Sequence, residues 1–416
     1  MRIFAAIHCP FRVGTTIAVA VLIAGCGNGG GSNNQGTSAL PAAKSVRHAA
    51  VAETIVHSFE GAPNDGADPQ GGLLYFDGTL YGTTGRGSAR VRGRSGGSCD
   101  GALGCGTVFV LKCCWAYRVV YSFLDKTDGE TPNGNLIYIK RPYGDEFYGT
   151  TRRGGADDHG TVFAMHEHRS VGMVYSFNDT PDGHRPFAGL IGGQSELYGT
   201  TVAGGAYDKG SVYEIEDDGA NEKILHSFGK GADGAKPQTA LIYVNGEFYG
   251  TTSAGGSSGK GTIFKINKSG DEAVLHSFAG GTDGADPRAA LIDGGDVLYG
   301  TTSAGGTNNQ GTVFDITTSG KEKVLHSFGG GSDGADPEGA VSVVNGTLYG
   351  TTCGGGTSGN GTLFSIKAGT ETVLYSFGGA PDGSCPTSNL LAFGTFYGIT
   401  AKGGESNFGT VFSIKL

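Results

Sequence analysis

The motif LYGTTSAGG at residues 298–306 decides the fold, because the chain repeats it with small changes. FYGTTSAGG stands at residues 248–256. Shorter copies, YGTT or YGIT, begin at Tyr81, Tyr148, Tyr198, Tyr349 and Tyr397. Seven copies of one strand-like motif indicate seven copies of one structural unit.

Two further motifs recur in step with the first. A His-Ser-Phe or Tyr-Ser-Phe triplet ends at Phe59, Phe123, Phe177, Phe228, Phe278, Phe328 and Phe377. A motif related to Gly-Thr-Val-Phe begins at Gly106, Gly160, Gly210, Gly261, Gly311, Gly361 and Gly409. The usual spacing is 48–54 residues, with a longer first unit. A period near 50 residues is typical of propellers and solenoids.

Each unit contains four strand-like segments; in the fifth unit they cover 289–293, 296–302, 311–316 and 322–328. Alternate residues of a strand point to opposite faces of its sheet, and these segments carry bulky side chains at both sets of positions. We therefore expect sheets that are covered on both faces. Gly300, inside its strand, indicates that another backbone approaches closely. No segment after Gly25 has a sustained helical period, so we expect an all-β fold.

The two ends of the array predict a closed ring. The first strand, 53–59, is the fourth type of its unit, whereas the last strand, 409–414, is the third type. The turn between these two types is too short to cross from blade to blade, so both strands belong in one blade. We therefore predict a seven-bladed β-propeller of four-stranded blades over residues 53–416, closed by the N-terminal strand pairing in the C-terminal blade.

The pattern LYGTT…GG…GTVF…HSF…DG..P, which all seven units follow with small changes, resembles the Gloeo/Verruco (GloVer) tandem repeat of bacterial surface-anchored proteins. The resemblance covers about residues 53–416. It implies a propeller held at the cell surface, and it brings no catalytic residues with it. The first unit departs from the pattern through an insertion at residues 85–105.

The segment 1–25 is predicted to be a lipoprotein signal peptide. Arg2 and Arg12 supply positive charge, and VGTTIAVAVLIAG (13–25) is a short apolar core that cannot span a bilayer. The sequence Ile-Ala-Gly-Cys that ends at Cys26 resembles the bacterial lipobox, so Cys26 is the expected lipidation site. An ordinary signal peptide followed by an incidental cysteine is the alternative.

Residues 26–52 are predicted to be the lipidated cysteine and a flexible tether, because Gly, Ser and Asn dominate them. Gly27, where Asp would resemble an inner-membrane retention signal, favours the outer membrane.

The formal net charge is −9, and without the segment 1–25, which carries two arginines and no acid, it is −11. This balance argues against nucleic acid as a partner.

An Asp-Gly-x-x-Pro motif recurs in every unit and supplies the first set of candidate binding residues: Asp65, Asp128, Asp182, Asp233, Asp283, Asp333 and Asp382. One interpretation is an Asx turn that shapes the crossover between blades, since Asp bonds its own backbone and Pro fixes φ. The other is a ring of carboxylates that binds a cation or sugar hydroxyls. The uneven occurrence of a second acid favours the turn, and no metal site or cofactor is predicted.

The insertion in the first unit supplies the second set of candidates. It carries Arg86, Arg90, Arg92 and Arg94, and Arg152 and Arg153 lie in the corresponding loop of the next unit. Together they predict a basic patch suited to anionic polysaccharide or lipid headgroups. A solvated loop without a ligand is the alternative.

Histidines and cysteines give weaker signals. His166 and His168 have metal-ligand spacing without a third ligand, so an exposed hairpin tip is the favoured interpretation. In an oxidising compartment Cys99 and Cys105 are candidates to pin the insertion, and Cys353 and Cys385 lie on the same expected face one blade apart. The adjacent Cys113 and Cys114 are expected to stay reduced.

The sequence contains no phosphate-binding glycine loop, nucleophile elbow or HExxH motif, and no catalytic residue is predicted. We expect a lipid-anchored binding or scaffold propeller of the cell envelope, with an extracellular glycan or another envelope protein as ligand. One alternative is a carbohydrate-active enzyme, a polysaccharide lyase or hydrolase, with its site on the loop face near the propeller axis. A purely structural surface protein is the other.

Overall fold

The structure is a computed structural model that describes residues 51–88, 99, 104–112, 115–124, 128–141, 144–166, 170–178, 180–193 and 195–416. The chain divides after residue 50, and residues 51–416 form the compact unit described below. The predicted signal peptide, Cys26 and the tether up to residue 50 lie outside the described residues. Within the described ranges, no helix is long and apolar enough to cross a membrane.

Seven antiparallel sheets of four main strands form the blades, and strands adjacent in each repeat are adjacent in its sheet. The innermost strands are Leu74–Phe76, Ile137–Arg141, Ile191–Gly192, Ile242–Val244, Ile292–Asp293, Ser342–Val344 and Leu391–Ala392. The second strands are Thr79–Thr84, Gly144–Arg153, Glu196–Thr201, Glu247–Thr252, Leu298–Thr302, Thr347–Thr352 and Phe396–Gly403.

The outer half of each blade consists of the third and the outermost strands. The third strands are Thr107–Lys112, Thr161–His166, Ser211–Glu216, Thr262–Ile266, Thr312–Ile316, Thr362–Lys367 and Thr410–Ile414. The outermost strands are Ala116–Ser122, Ser170–Ser176, Lys223–Ser227, Glu272–Ser277, Glu322–Ser327, Thr370–Ser376 and, in the seventh blade, Glu53–Ser58.

Short strands join the Asp-Gly loops to the Gly-Gly loops on one face of the molecule. Five pairs are separate: Gly66–Ala67 with Arg86–Gly87, Gly183–His184 with Ala203–Gly204, Gly234–Ala235 with Ala254–Gly255, Gly284–Ala285 with Ala304–Gly305, and Gly334–Ala335 with Gly354–Gly355. In the second and seventh blades the equivalent strands, Glu130–Pro132 and Gly383–Pro386, pair with the long second strand.

The ring closes as the sequence predicts. Glu53–Ser58 pairs antiparallel with Thr410–Ile414, from Glu53 opposite Ile414 to Ser58 opposite Thr410. The first described strand is therefore the outermost strand of the last blade. This arrangement confirms the seven-bladed fold and protects the edge that an open array would expose.

The repeated YGTT motif contacts three different neighbours. Thr301 donates a hydrogen bond to the carbonyl of Gly339 in the next blade, while Thr302 bonds the hydroxyl of Thr312 in its own blade at 2.8 Å. The expectation that Gly300 admits another backbone is wrong. A Cβ at Gly300 would collide with the Phe314 ring, which lies across it from the paired strand of the same sheet.

Adjacent blades are joined by the same three contacts all around the ring. The Phe of each His/Tyr-Ser-Phe triplet is buried and packs edge-to-face on an aromatic ring of the next blade, as Phe328 does on Phe364 at 5.1 Å. The Pro of Asp-Gly-x-x-Pro packs on the Gly of the Gly-Thr motif, as Pro337 does on Gly311. The residue before that Pro has positive φ and donates its N–H to the preceding blade, as Asp336 does to Gln310 at 2.8 Å.

Candidate functional site

A cavity of 970 Å³ lies on the propeller axis, and all seven repeats line it. The residue directly after the proline of each Asp-Gly-x-x-Pro motif contributes to this lining: Gln70, Asn133, Phe187, Gln238, Arg288, Glu338 and Thr387. Two positions further on, the lining residues are Gly72, Asn135, Gly189, Ala240, Ala290, Ala340 and Asn389. Small residues at most of the second set keep the centre of the ring open.

Amide side chains give the cavity a polar wall on the side of the first, second and seventh repeats. Asn135 accepts a hydrogen bond from the Gly72 N–H and donates one to Asn389 at 3.4 Å. The side chain of Asn133 is 6% exposed, and its Oδ1 has no hydrogen-bond partner. A buried acceptor without a donor is costly to the folded protein, and this oxygen is not open to a ligand in the cavity.

The opposite side of the cavity carries charge. Arg288 bonds Asp286 at 2.7 Å and Glu338 at 3.0 Å. Burial raises the pKa of Glu338, and the nearby Asp336 adds to that effect against the opposing influence of Arg288. Lys236 and Lys260 also line the cavity, so its wall holds three basic and two acidic side chains.

An aromatic ring with arginines around it lies between these two sides. Phe187 lines the cavity, and the Arg152 guanidinium lies over its ring at 5.5 Å from the centroid. Burial lowers the pKa of Arg152, and the charges of Arg185 and Arg153 lower it further. Three arginines therefore meet at the junction of the second and third blades. Arg153 also contacts Asp158 at 3.3 Å.

The predicted basic patch is only partly described by the structure. Arg152 and Arg153 lie together, and Arg185 joins them although no sequence motif pointed to it. Arg86 is exposed in a short strand of the first repeat, paired with Ala67. Arg90, Arg92 and Arg94 lie outside the described residues, so the patch that they were expected to complete stays a prediction.

The seven aspartates of the Asp-Gly-x-x-Pro motifs do not line the axial cavity; they lie at the junctions between blades. Asp283 is representative: Oδ1 accepts the Gly284 N–H at 2.8 Å and Oδ2 accepts the Ala279 N–H at 2.8 Å. These bonds fix the crossover loop, as the turn interpretation requires. The His or Tyr of the triplet also contacts the aspartate carboxylate. In this repeat His276 Nε2 lies 3.2 Å from Asp283 Oδ2.

Sequence reasoning missed a third residue at these junctions, which comes from the next blade. We call the group of His or Tyr, Asp and this residue a junction cluster. The third residue stands four positions before the next His or Tyr and is a glutamate at five junctions: Glu53, Glu222, Glu272, Glu322 and Glu371. Tyr117 and Val171 occupy the same position in the other two repeats. The constant spacing of four residues before the His or Tyr could have identified this position from the sequence.

These glutamates are held beside the aspartate of the preceding repeat. Burial raises the pKa of Glu222 to about 7, and the charge of Asp182 adds to the shift. Burial together with Asp382 raises the pKa of Glu53 to about 9. In all five glutamates Oε1 is buried without a hydrogen-bond partner. The junction clusters thus concentrate unusual titratable groups away from the axis.

A second cavity, of 520 Å³, is lined by all four main strands of the second blade and by Asp217 and Asp218 of the third. His166 ends its strand there, with Nε2 3.1 Å from Glu146. Arg141 joins the same Glu146 at 3.2 Å and also pairs with Asp217. His166 is largely exposed, and His168 lies outside the described residues.

Two disulfide bonds are present among the described cysteines. Cys99 is bonded to Cys105 at the end of the insertion, and Cys353 is bonded to Cys385 across adjacent repeats. The second bond fixes the residue before Pro386 to the end of the second strand of the preceding blade. Cys113 and Cys114 lie outside the described residues.

The family model described as Gloeobacter/Verrucomicrobia repeat matches residues 22–251, 95–304 and 244–416. No curated protein sequence matches the chain.

The chain is similar to several solved structures. Oligogalacturonate lyase in complex with manganese matches with a TM-score of 0.50 and 9% identity, over 89% of this chain and 98% of that one. Puromycin hydrolase matches with a TM-score of 0.50 and 9% identity, over 85% of this chain and 53% of that one. The propeller domain of the trilobed protease from Pyrococcus furiosus has a TM-score of 0.46 and 9% identity, over 86% and 94%. At this identity, likeness shows the fold alone.

Proposed function

The chain belongs to the Gloeobacter/Verrucomicrobia repeat family, and we propose that it is a lipid-anchored envelope protein whose axial cavity binds an extracellular glycan. One observation carries the proposal. At positions that pack blades together, the repeats use nearly the same residue in every copy, such as the triplet Phe. At the position that follows each motif proline and lines the cavity, they use seven side chains of six types.

Variation at the cavity wall in an otherwise regular ring is what a specific ligand requires. Amides and hydroxyls bond sugar hydroxyls, and Gln70 and Gln238 bring half-buried amide side chains to the wall. Phe187 offers a ring face to a sugar ring. The excess of one basic side chain in the wall suits a glycan that carries carboxylates, even though the chain as a whole is acidic.

The test is a glycan-array screen of the full chain, followed by calorimetry on the best glycan. We expect Gln238→Ala, at the cavity wall, to weaken binding about tenfold, the usual effect of losing one well-placed hydrogen bond. Asn267→Ala is the matched control, because Asn267 bonds Asp271 in an exposed turn outside the cavity. Equal affinity of both variants would refute the axial site, and no glycan binding at all would favour a purely structural protein.

A second function is supported by the acids around Arg288. Asp286, Glu338 and Asp336 converge there, and burial raises the pKa of both Glu338 and Asp336. Such a group could act as acid or base in a polysaccharide lyase or hydrolase. Incubation of the bound glycan with the protein separates the two functions. Shortened products that disappear in Glu338→Gln would favour an enzyme, and an unchanged glycan would favour the binding module.

Anchoring through Cys26 is tested separately. The full chain is expressed in a bacterium with an outer membrane, and radiolabelled palmitate incorporation and membrane fractionation are followed. We expect label and outer-membrane location in the parent chain and loss of both in Cys26→Ala. Cys113→Ala serves as the control cysteine change. Label that persists in Cys26→Ala would exclude the proposed anchor without affecting the glycan site.

A further inference from the structure

We propose that three consecutive junction clusters are binding sites for a divalent transition-metal cation of the zinc or manganese class. The three clusters are His226–Asp233–Glu272, His276–Asp283–Glu322 and His326–Asp333–Glu371. In each, one imidazole nitrogen and two carboxylate oxygens lie within 4.8 Å of one another. The sequence on its own predicts no metal, because the three ligands come from different repeats.

The distances between ligand atoms fit one shared cation. The imidazole Nε2 lies 3.0, 3.2 and 3.4 Å from the nearer aspartate oxygen in the three clusters. A tetrahedral zinc with bonds of about 2.0–2.1 Å places neighbouring ligand atoms roughly 3.3–3.4 Å apart. The His–Asp edge of each cluster therefore has about the length that such a site needs.

Each of the three clusters contains a buried polar atom without a hydrogen-bond partner. Glu272, Glu322 and Glu371 each have a buried Oε1 without a hydrogen-bond partner. At the third cluster the Nε2 of His326 has no hydrogen-bond partner either. Two orphaned polar atoms beside one carboxylate are a costly arrangement in a folded protein, and a cation between them would satisfy all three groups.

The ligand types favour a transition metal over calcium or magnesium. Calcium and magnesium take oxygen ligands, whereas an imidazole with two carboxylates is a set used for zinc and manganese, with a position left for water. The aspartate is held in place by its other oxygen, since Asp233 Oδ1 accepts the Gly234 N–H at 2.6 Å. Such a supporting hydrogen bond orients a ligand.

Two other junction clusters provide matched controls within the same chain. At Asp182 and at Asp382 the neighbouring glutamate is present, but a tyrosine replaces the histidine. The Tyr375 hydroxyl lies within hydrogen-bond distance of both acids, 2.9 Å from Asp382 and 3.1 Å from Glu53. A neutral phenol that already bridges the acids leaves no place for a cation, so the proposal predicts three sites and not five.

A cation at these positions would link adjacent blades. His276 and Asp283 belong to one repeat, while Glu322 belongs to the outermost strand of the next blade. Three such links would join the third, fourth, fifth and sixth blades in series. Because the cation binds only the folded ring, it would raise the melting temperature in a concentration-dependent way.

The test uses the full chain, stripped with a chelator and dialysed, then titrated with Zn²⁺ or Mn²⁺ by calorimetry at neutral pH. The key variant carries His226→Tyr, His276→Tyr and His326→Tyr, which copy the tyrosine clusters and so preserve the fold. We expect this variant to bind three fewer ions than the parent chain and to lose the metal-dependent rise in melting temperature. Ions bound elsewhere in the chain are counted in both proteins, so they cancel when the ion number of the variant is subtracted from that of the parent.

Single changes assign the sites. Glu371→Gln is expected to remove one ion, whereas the control Glu222→Gln, at a tyrosine cluster, is expected to remove none. Equal ion counts for the parent chain and the triple tyrosine variant, or no binding of either metal even at a large molar excess, would overturn the proposal. Neither outcome bears on glycan binding at the axis.

Discussion

The junction clusters at His326 and Tyr375 join successive pairs of blades and differ mainly in one side chain. Both contain an aspartate that fixes the crossover loop and a glutamate from the following blade. The Tyr375 hydroxyl reaches both acids, whereas His326 Nε2 lies 3.4 Å from Asp333 and makes no hydrogen bond. The glutamate Oε1 is unpartnered in both clusters, so the ring decides only whether the His or Tyr side chain lies within hydrogen-bond distance of both acids or makes no hydrogen bond.

The largest effect is expected from removing the aspartate, which both kinds of cluster share. Asp283→Ala and Asp182→Ala each leave two backbone N–H groups without their acceptor. Asp283→Ala also strands His276, and Asp182→Ala strands the side chains of Tyr175 and Asn178. We expect each change to lower the free energy of unfolding by about 3 kcal/mol, because charge-assisted bonds are lost in a partly buried site. Urea unfolding in chelator measures this loss.

The exposed Asp296 gives the control, since Asp296→Ala should change stability by less than about 0.5 kcal/mol. A much smaller loss in Asp182→Ala than in Asp283→Ala would break the comparison, because it would mean that the tyrosine clusters do not rely on their aspartate.

An intermediate effect, dependent on pH, is expected at the tyrosine cluster that closes the ring. Burial, reinforced by Asp382, raises the pKa of Glu53 to about 9 from 4.5. The folded state therefore keeps a proton that the unfolded chain releases, so this stabilisation is complete below pH 4.5 and is lost as the pH rises to about 9. We expect Glu53→Gln, which cannot ionise, to be as stable as the parent chain at pH 4 and more stable at pH 9.

Melting temperatures in chelator across that range measure the difference. Glu405→Gln, at an exposed loop position, is the matched control and should follow the parent chain at every pH. If Glu53→Gln and the parent chain keep a constant difference between pH 4 and pH 9, Glu53 is not protonated in the folded ring.

The smallest effect is expected at the first junction, where Tyr117 replaces the glutamate. Its ring stacks on His57 with centroids 3.6 Å apart, and its hydroxyl accepts the Gly66 N–H at 3.4 Å and bonds Asp65. Tyr117→Phe keeps the stack and removes the hydroxyl, so we expect a loss of about 1 kcal/mol in thermal or urea unfolding. Tyr243→Phe, at an exposed ring, should show no loss. A loss above about 3 kcal/mol would mean that the substitution disturbs the stack as well.

Much of the fold follows from spacing alone. The motif period identifies seven blades, and the strand types at residues 53–59 and 409–414 identify the closure, because a turn of a few residues cannot cross between blades. Gly300 shows the limit of this reasoning. A strand glycine indicates that something comes close, but the periodic pattern does not tell a backbone from the Phe314 ring that lies there.

Some residues of the candidate sites could likewise be identified from the sequence, and others could not. The aspartates were found from the sequence because their turn is local, formed within a few residues of the chain. The glutamates of the junction clusters were missed because their partners lie far away along the chain, in the preceding repeat, as Asp233 does from Glu272. The amides of the axial wall were missed for the same reason, since they come from different repeats and no repeat supplies more than two of them.

The sequence by itself determined the number of blades, their strand order, the turn at each aspartate and the strand that closes the ring, because each depends on contacts within a repeat or on counting repeats. Only the tertiary structure decided what meets at the axis and at the junctions. Closing the ring brings side chains of different repeats within hydrogen-bond distance, and their burial, charge and missing partners exist only after that closure.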